Sequence, residues 1–229
     1  MTGFAHVAID GPAGSGKTTV ARALARRLGV LYLDTGAMYR AVALGALRAG
    51  ADPNDETAVI ELARRRPVRA VPDSAATAGF RIYAGEEELG EELYGNDVSR
   101  AVSAVSAHPR VRELLVERQR AIAQNGAVVM AGRDIGTVVL PDAPVKVFLT
   151  ASLDARVERR RAELAARGTQ VEAAELRRQI LERDRLDAGR AVAPLQAAPD
   201  AVEIDASELS VEAVVDAIAG LLERSASAR

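Results

Sequence analysis

Apolar and polar positions alternate along this chain in two distinct periods. Residues 4–9 form a short apolar run with the character of a buried strand, and residues 10–16 are glycine-rich. Val20, Leu24 and Leu28 then recur at helical spacing, which predicts a helix over 17–28 closed by Gly29. Residues 30–33 read as a second strand. Strand, glycine loop, helix and strand predict a βαβ unit, with parallel pairing and a right-handed crossover. Helical patterns follow over 36–49, 56–65, 97–107 and 109–124. The last two are broken at His108-Pro109, where Pro109 suits a helix start because its missing N–H costs nothing there. Further strands are expected at 127–130, 145–149 and 202–204. Further helices are expected at 153–167 (closed by Gly168), 171–186 and 211–224, with 225–229 a frayed tail.

Residues 67–94 break this rhythm. Short alternating stretches at 68–71 and 80–83 are separated by turn residues such as Asp73-Ser74 and Gly85. The pattern predicts a small antiparallel sheet inserted into an α/β chain, the alternative being a long surface loop. No internal repeat is visible.

Composition narrows the class. Of the 229 residues, 48% are hydrophobic and 27% charged, as in a globular protein, and the length suits one domain spanning 1–229 with an insertion. Thirty basic against 32 acidic side chains leave a net charge of −2, which argues against a general nucleic-acid coat. Aromatics at 3% with no Trp argue against base-stacking platforms. The absence of cysteine excludes disulfides, thiolate metal sites and a cysteine nucleophile, and fits a cytoplasmic protein. No apolar run approaches the roughly 20 residues of a membrane span, and residues 1–8 lack the pattern of a signal peptide. All but two of the basic residues are arginine. That leaves open ligands whose charge calls for arginine at chosen points.

Gly11-Pro12-Ala13-Gly14-Ser15-Gly16-Lys17-Thr18 matches G-x-x-x-x-G-K-[ST], and it lies between a predicted strand and a predicted helix. Glycines let successive backbone N–H groups face a phosphate, and the helix start adds its positive end. Lys17 is of a length to reach β- and γ-phosphates, and the Thr18 hydroxyl suits Mg²⁺; with Thr19 these residues form the expected ATP-binding set. Kinases, GTPases and ATPases share this loop. The guanine-reading N-K-x-D motif is missing, since Lys146 sits in Val145-Lys146-Val147. The strand at 127–130 leads into Ala131-Gly132-Arg133-Asp134 rather than into a terminal Asp or Asp-Glu. A small kinase is the best class. A kinase for another acceptor, such as shikimate or a different nucleotide, and a nucleotide-sensing binding module stay open.

After the second strand comes Leu33-Asp34-Thr35-Gly36-Ala37-Met38-Tyr39-Arg40. Strand ends in such sheets line the ligand crevice, so Thr35 is placed to bind an anion with Arg40 one helical turn further on. With the phosphate loop, Pro109-Arg-Val-Arg112, Gly132-Arg-Asp-Ile-Gly-Thr-Val138, Pro141-Asp-Ala-Pro-Val-Lys146 and Arg190-Ala-Val-Ala-Pro-Leu195, this segment makes the chain resemble bacterial cytidylate kinases over nearly its whole length. The resemblance implies an α/β P-loop nucleoside monophosphate kinase fold. Its parts are a five-stranded parallel sheet flanked by helices, a monophosphate-binding region extended by the β insert at 66–95, and a short lid at 154–170. It implies the reaction ATP + CMP ⇌ ADP + CDP with dCMP also accepted, Mg²⁺ as cofactor, and a monomer.

By the same resemblance Arg40, Arg133 and Arg190 hold the CMP phosphate with Thr35 nearby, Ser103, Arg112 and Asp134 read the cytosine edge, and Asp187 contacts the sugar hydroxyls. From the lid stretches Arg156, Arg160 and Arg183 are expected over the transferred group, with Arg156 and Arg160, four apart, sharing a helix face. Ala131 departs from the family pattern, which commonly has an acid there; Asp34 is therefore assigned the outer-shell Mg²⁺ role. Leu186 and Ala188 stand where some relatives carry further charges. These residue types suit phosphoryl transfer to an acceptor that is already anionic. No strong base is needed, and the barrier is charge repulsion and positioning, which arginines relieve. A carboxylate such as Asp134 accepts from the amine of cytosine, whereas the uracil carbonyl leaves it unpaired.

Overall fold

A computed structural model describes residues 6–73, 76, 79–166 and 168–227. Strands β1 (Val7–Asp10), β2 (Leu31–Asp34), β6 (Val128–Gly132), β7 (Val145–Thr150) and β8 (Val202–Asp205) form one sheet in the order β2-β6-β1-β7-β8. Every neighbouring pair is parallel. Strands β1 and β6 are wholly buried, as their continuous apolar runs require in a sheet covered on both faces. The register sets Asp10 opposite Gly132 and Asp34 opposite Ala131, so three strand ends finish level at one edge.

The covering helices are α1 (Lys17–Leu28), α2 (Thr35–Arg48), α3 (Glu56–Arg65), α4 (Asn96–Val105), α5 (Pro109–Gln124), α6 (Leu153–Ala166), α7 (Ala173–Ala188) and α8 (Val211–Ser227). Local rules explain their ends. Gly29 closes α1 in the left-handed conformation, the Asp34 and Asp55 carboxylates cap α2 and α3, and Pro109 opens α5. The core centres on Ile9, Leu24, Leu33, Met38, Met130, Ile135, Leu149 and Ile218. Helices α6 and α7 form a hairpin with a separate apolar cluster of Val157, Leu164, Leu176 and Ile180. No helix among the described residues is long and apolar enough to cross a membrane.

The insert is a three-stranded antiparallel sheet of β3 (Val68–Pro72), β4 (Phe80–Ala84) and β5 (Glu87–Leu89). Strand β4 alternates inward Phe80, Ile82 and Ala84 with half-buried Arg81 and Tyr83, and the Phe80 ring meets Tyr32 at 5.6 Å between centroids. Ser74 of the expected turn lies outside the described residues, as do residues 1–5 and 167.

Three details differ from the sequence reading. Strand β5 appears where no strand was expected, because Gly85 (φ +63°) turns the chain back on β4. The segment after β6 winds into one π-helical turn, Ile135–Val139. Helix α8 runs through Ser227, so residues 225–227 are helical rather than frayed.

Candidate active site

The phosphate loop leaves β1 at Asp10 and enters α1 at Lys17. Gly11 takes φ +147°, and a Cβ there would sit 2.1 Å from the Leu149 carbonyl oxygen, so only glycine lets the loop pass β7. Gly14 and Gly16 also have positive φ. No side chain caps the α1 N-terminus and no acid lies in its first turn, so its amide donors and positive dipole face the loop. The buried Lys17 crosses the loop, its Nζ donating to Pro12 O at 2.6 Å and Ser15 Oγ at 3.2 Å. Burial pushes the Lys17 ammonium well below its ordinary range; Arg133 and Arg183 add repulsion, and Asp34 and Asp10 oppose them. At the loop's mouth Thr18 Oγ1 donates to Asp34 Oδ2 at 3.4 Å, while Asp34 Oδ1 accepts the Gly36 amide at 2.9 Å.

Next to this loop four arginines converge from three elements and the segments that follow them. Arg133 follows β6, Arg183 lies on α7, Arg190 follows α7, and Arg40 lies on α2. Asp187 is the hub: one carboxylate oxygen accepts from Arg133 Nε at 2.8 Å and the other from Arg190 Nη2, with Arg183 Nε 3.9 Å away. Burial alone would raise the Asp187 carboxyl, but Arg133, Arg190 and Arg183 outweigh it and hold it below its usual value. Arg40 Nη1 donates to Leu93 O at 3.2 Å and Ser99 Oγ at 3.0 Å and lies over the Tyr94 ring. Burial makes the cationic forms of Arg40, Arg183 and Arg190 less favourable, and Arg133 repels all three. Nε of Arg183 and of Arg190 are buried donors without a hydrogen-bond acceptor. The cluster therefore carries positive charge in excess, which an anion would neutralise.

Behind the arginines lies a buried polar pair. Arg112 Nη2 donates to Asp134 Oδ2, and both side chains are nearly inaccessible. The Arg112 guanidinium lies 5.4 Å from the centre of the Tyr39 ring, and its Nη1 donates to Ser106 O at 3.1 Å. Ser106 joins the two groups of residues, since its Oγ also accepts from Arg190 at 2.8 Å and donates to Ser103 O at 3.2 Å. Ser103 itself is half-buried on α4, meeting this network through its backbone carbonyl. Thr35 Oγ1 donates to Ala131 O at 3.0 Å, joining the start of α2 to β6. Gly132 has no room for a side chain there: a Cβ would lie 2.7 Å from Thr35 Oγ1 and 2.6 Å from Ile135 Cδ1.

The hairpin α6–α7 lies across the phosphate loop. Arg156 is buried, donating through Nη1 to Ala13 O at 3.2 Å and to Asp184. Arg159 donates through Nη1 to Ser15 O at 3.1 Å and through Nη2 to Ala206 O. With Gly16, Thr19, Val20, Leu209 and Val211 it lines a cleft of about 330 Å³ between the loop and the start of α8. Arg160, one position on, pairs with Glu163 at 3.0 Å on the open side. Sequence reasoning thus missed Arg159, Ser106 and Asp10; which α6 arginine meets the loop is set by packing, whereas for Ser106 the available signal was the helix end beside Arg112.

A phosphate loop whose lysine faces an arginine cluster, on a five-stranded parallel sheet, defines the class of P-loop kinases. Residues 7–224 match the family model for cytidylate kinase. A cytidylate kinase of Pelotomaculum thermopropionicum is 53% identical over 218 residues, covering 95% of this chain and 96% of its own. One of Mycobacterium avium is 49% identical over 233 residues and covers all of both chains. Among solved structures, an uncharacterized protein from Eubacterium ventriosum aligns over 95% of this chain and 97% of its own, with a TM-score of 0.50 at 14% identity, which reflects the fold alone. The chain belongs to the cytidylate kinase family.

Proposed function

We propose that the chain transfers the γ-phosphoryl group of ATP to CMP or dCMP, with the following division of labour. ATP lies with its phosphates in the loop from Gly11 to Thr18 and its base in the cleft beside Thr19 and Arg159. Lys17 and the α1 N-terminus hold the β- and γ-phosphates. The acceptor phosphate is gripped by Arg40, Arg133 and Arg190, with Thr35 at its rim. The observation that carries this reading is that Arg133, Arg190 and Arg183 gather on Asp187 beside the loop that holds Lys17, with buried Nε donors of Arg183 and Arg190 unused, so these cations repel one another. Two phosphate chains meeting there relieve that repulsion as they approach, which lowers the barrier without a general base.

Arg112 and Asp134, with Ser103 and Ser106 alongside, read the cytosine edge. Asp134 accepts from the exocyclic amine through the oxygen that Arg112 does not bond, and uracil sets a carbonyl against that oxygen instead of a donor. Asp187 keeps Arg133 and Arg190 aligned while its remaining lone pairs accept from sugar hydroxyls. The family also implies Mg²⁺. Thr18 and Asp34 fit it, because their facing hydroxyl and carboxylate are hard oxygen donors. Among the described residues there is no group of three metal-binding side chains, so phosphates and water would supply the rest. Held by Thr18 and Asp34, the ion would supply charge neutralisation for the phosphates of ATP.

The hairpin α6–α7, with its own apolar cluster, acts as the lid and brings Arg156, Arg160 and Arg183 over the transferred group. The insert β3-β4-β5 extends the monophosphate-binding side. All these groups come from one chain, which suits a monomer, and the lack of cysteine suits the cytoplasm. An ADP-release assay with CMP, dCMP, UMP and AMP tests the reading. CMP and dCMP are expected to turn over well ahead of the others. Turnover of UMP or AMP above CMP overturns the acceptor assignment.

A further inference from the structure

Asp10 is a carboxylate that the division of labour above leaves without a task. It is the last residue of β1, is 3% exposed, and directly precedes Gly11 of the phosphate loop. Its two oxygens are both used: Oδ1 accepts the Ile135 amide and Oδ2 the Gly136 amide, each at 2.7 Å. Those amides open the π-helical turn, whose own bonds (Val138 and Val139 to Asp134 O, Leu140 to Ile135 O) leave the first N–H groups without helical partners. Ile135 in turn follows Arg133 and Asp134 directly. The parallel register sets Asp10 opposite Gly132, so the carboxylate reaches over the end of β6 to the far side of the Arg133-Asp134 step.

We propose that Asp10 is a positioning residue that fixes the acceptor-binding pair Arg133 and Asp134 relative to the phosphate loop, by clamping both amides that follow them. The clamp is buried and closely packed. A Cβ on Gly136 would lie 3.4 Å from Asp10 Oδ2 and 3.2 Å from Lys146 Cδ, a tight fit that makes the Lys146 stem or the clamped amide give by a few tenths of an ångström. The site retains a charge that its surroundings disfavour. Burial raises the Asp10 carboxyl from 3.8 to about 6, Asp134 adds to that, and the two amides and Lys17 oppose it. An apolar side chain would avoid this cost but would leave two buried amides unpaired. A carboxylate satisfies both at once, and an amide side chain satisfies one while turning its own N–H groups toward the other.

The inference rests on the acceptor-side roles proposed for Arg133 and Asp134, and the full-length chain tests the two separately. Steady-state rates are measured with CMP varied at saturating ATP and with ATP varied at saturating CMP, for wild type, Asp10→Asn and Gly136→Ala, alongside thermal melts. Both variants are expected to raise the CMP KM and lower kcat by about tenfold each, as small misplacements of reacting groups do. The ATP KM is expected to change by less than about threefold, about 0.7 kcal/mol. Gly136→Ala leaves the Asp10 carboxylate intact and crowds the clamp between Asp10 and the Lys146 stem, so it supplies the test if Asp10→Asn does not fold. Kinetics within twofold of wild type overturn the proposal. So does an equal rise in both KM values, which marks general loosening. Wild type that fails to phosphorylate CMP refutes the acceptor reading instead.

Discussion

Asp187 shows how much of this site depends on single carboxylates. It holds Arg133 and Arg190 in place, and all three are largely removed from solvent. Replacing it with Ala leaves two buried cations uncompensated, which costs about 3 kcal/mol. Urea denaturation of Asp187→Ala should show that loss, and a CMP KM close to wild type in the same variant would refute its alignment of the arginines. Asp10 and Asp187 have opposite pH signatures. Asp187 is held below its usual value of 3.8, so its contribution is complete above that pH and fades as pH falls through its lower folded value. Asp10 is raised from 3.8 to about 6, so its contribution is complete below 3.8 and is lost as pH rises through about 6. A shift of about two units corresponds to an energy on the order of 3 kcal/mol. The unfolding free energy of wild type relative to Asp10→Asn should therefore rise as pH falls from about 7 toward 4.5, and a flat difference would contradict the raised value. Neither pairing is legible in the sequence. Asp10 meets Ile135 across 125 positions and Asp187 meets Arg133 across 54, and no local pattern encodes such distances.

Elements were far more legible than pairings. The helix boundaries at Gly29, Asp55 and Pro109 follow rules that act within one turn, so the sequence contains the whole reason. Strand β5 escaped notice because Glu87 and Glu88 are exposed and only Leu89 is buried, too short a pattern to register. The π-helical turn escaped because its amides are satisfied by a strand end from the other end of the sequence. Helix α6 shows an intermediate case. Its arginine run is plain, but which arginine faces the loop depends on how α6 packs, and that favours Arg159 over Arg160. Arg159→Ala is expected to raise the ATP KM about tenfold, the loss of one or two hydrogen bonds and of packing against the cleft. Arg160→Ala should leave ATP KM nearly unchanged. Steady-state kinetics on the pair decides it, and equal effects would refute the assignment.

At the scale of the whole molecule, the net charge of −2 conceals a strong internal separation. Acidic side chains pair with arginines over most of the surface, while the sheet's carboxyl edge gathers cations that their own carboxylates do not fully balance. Composition excluded a polyanion coat but carried no information about this focus, because a focus is a matter of arrangement. The sheet order has a further consequence for how the molecule comes into being. Strand β1 is made first, yet its neighbours β6 and β7 begin only at Val128 and Val145. A chain emerging from the ribosome carries the nucleotide loop early but has no strand to brace it on either side until most of the protein has been synthesised. Until then β1 exposes two unpaired apolar edges. ATP-analogue binding should be absent from ribosome-bound chains stalled before β6 and should appear only once α6 and the start of α8, which line the ATP cleft, have left the exit tunnel. The newborn protein would thus depend on escaping aggregation during the long interval in which its most important loop has already been made but is not yet held.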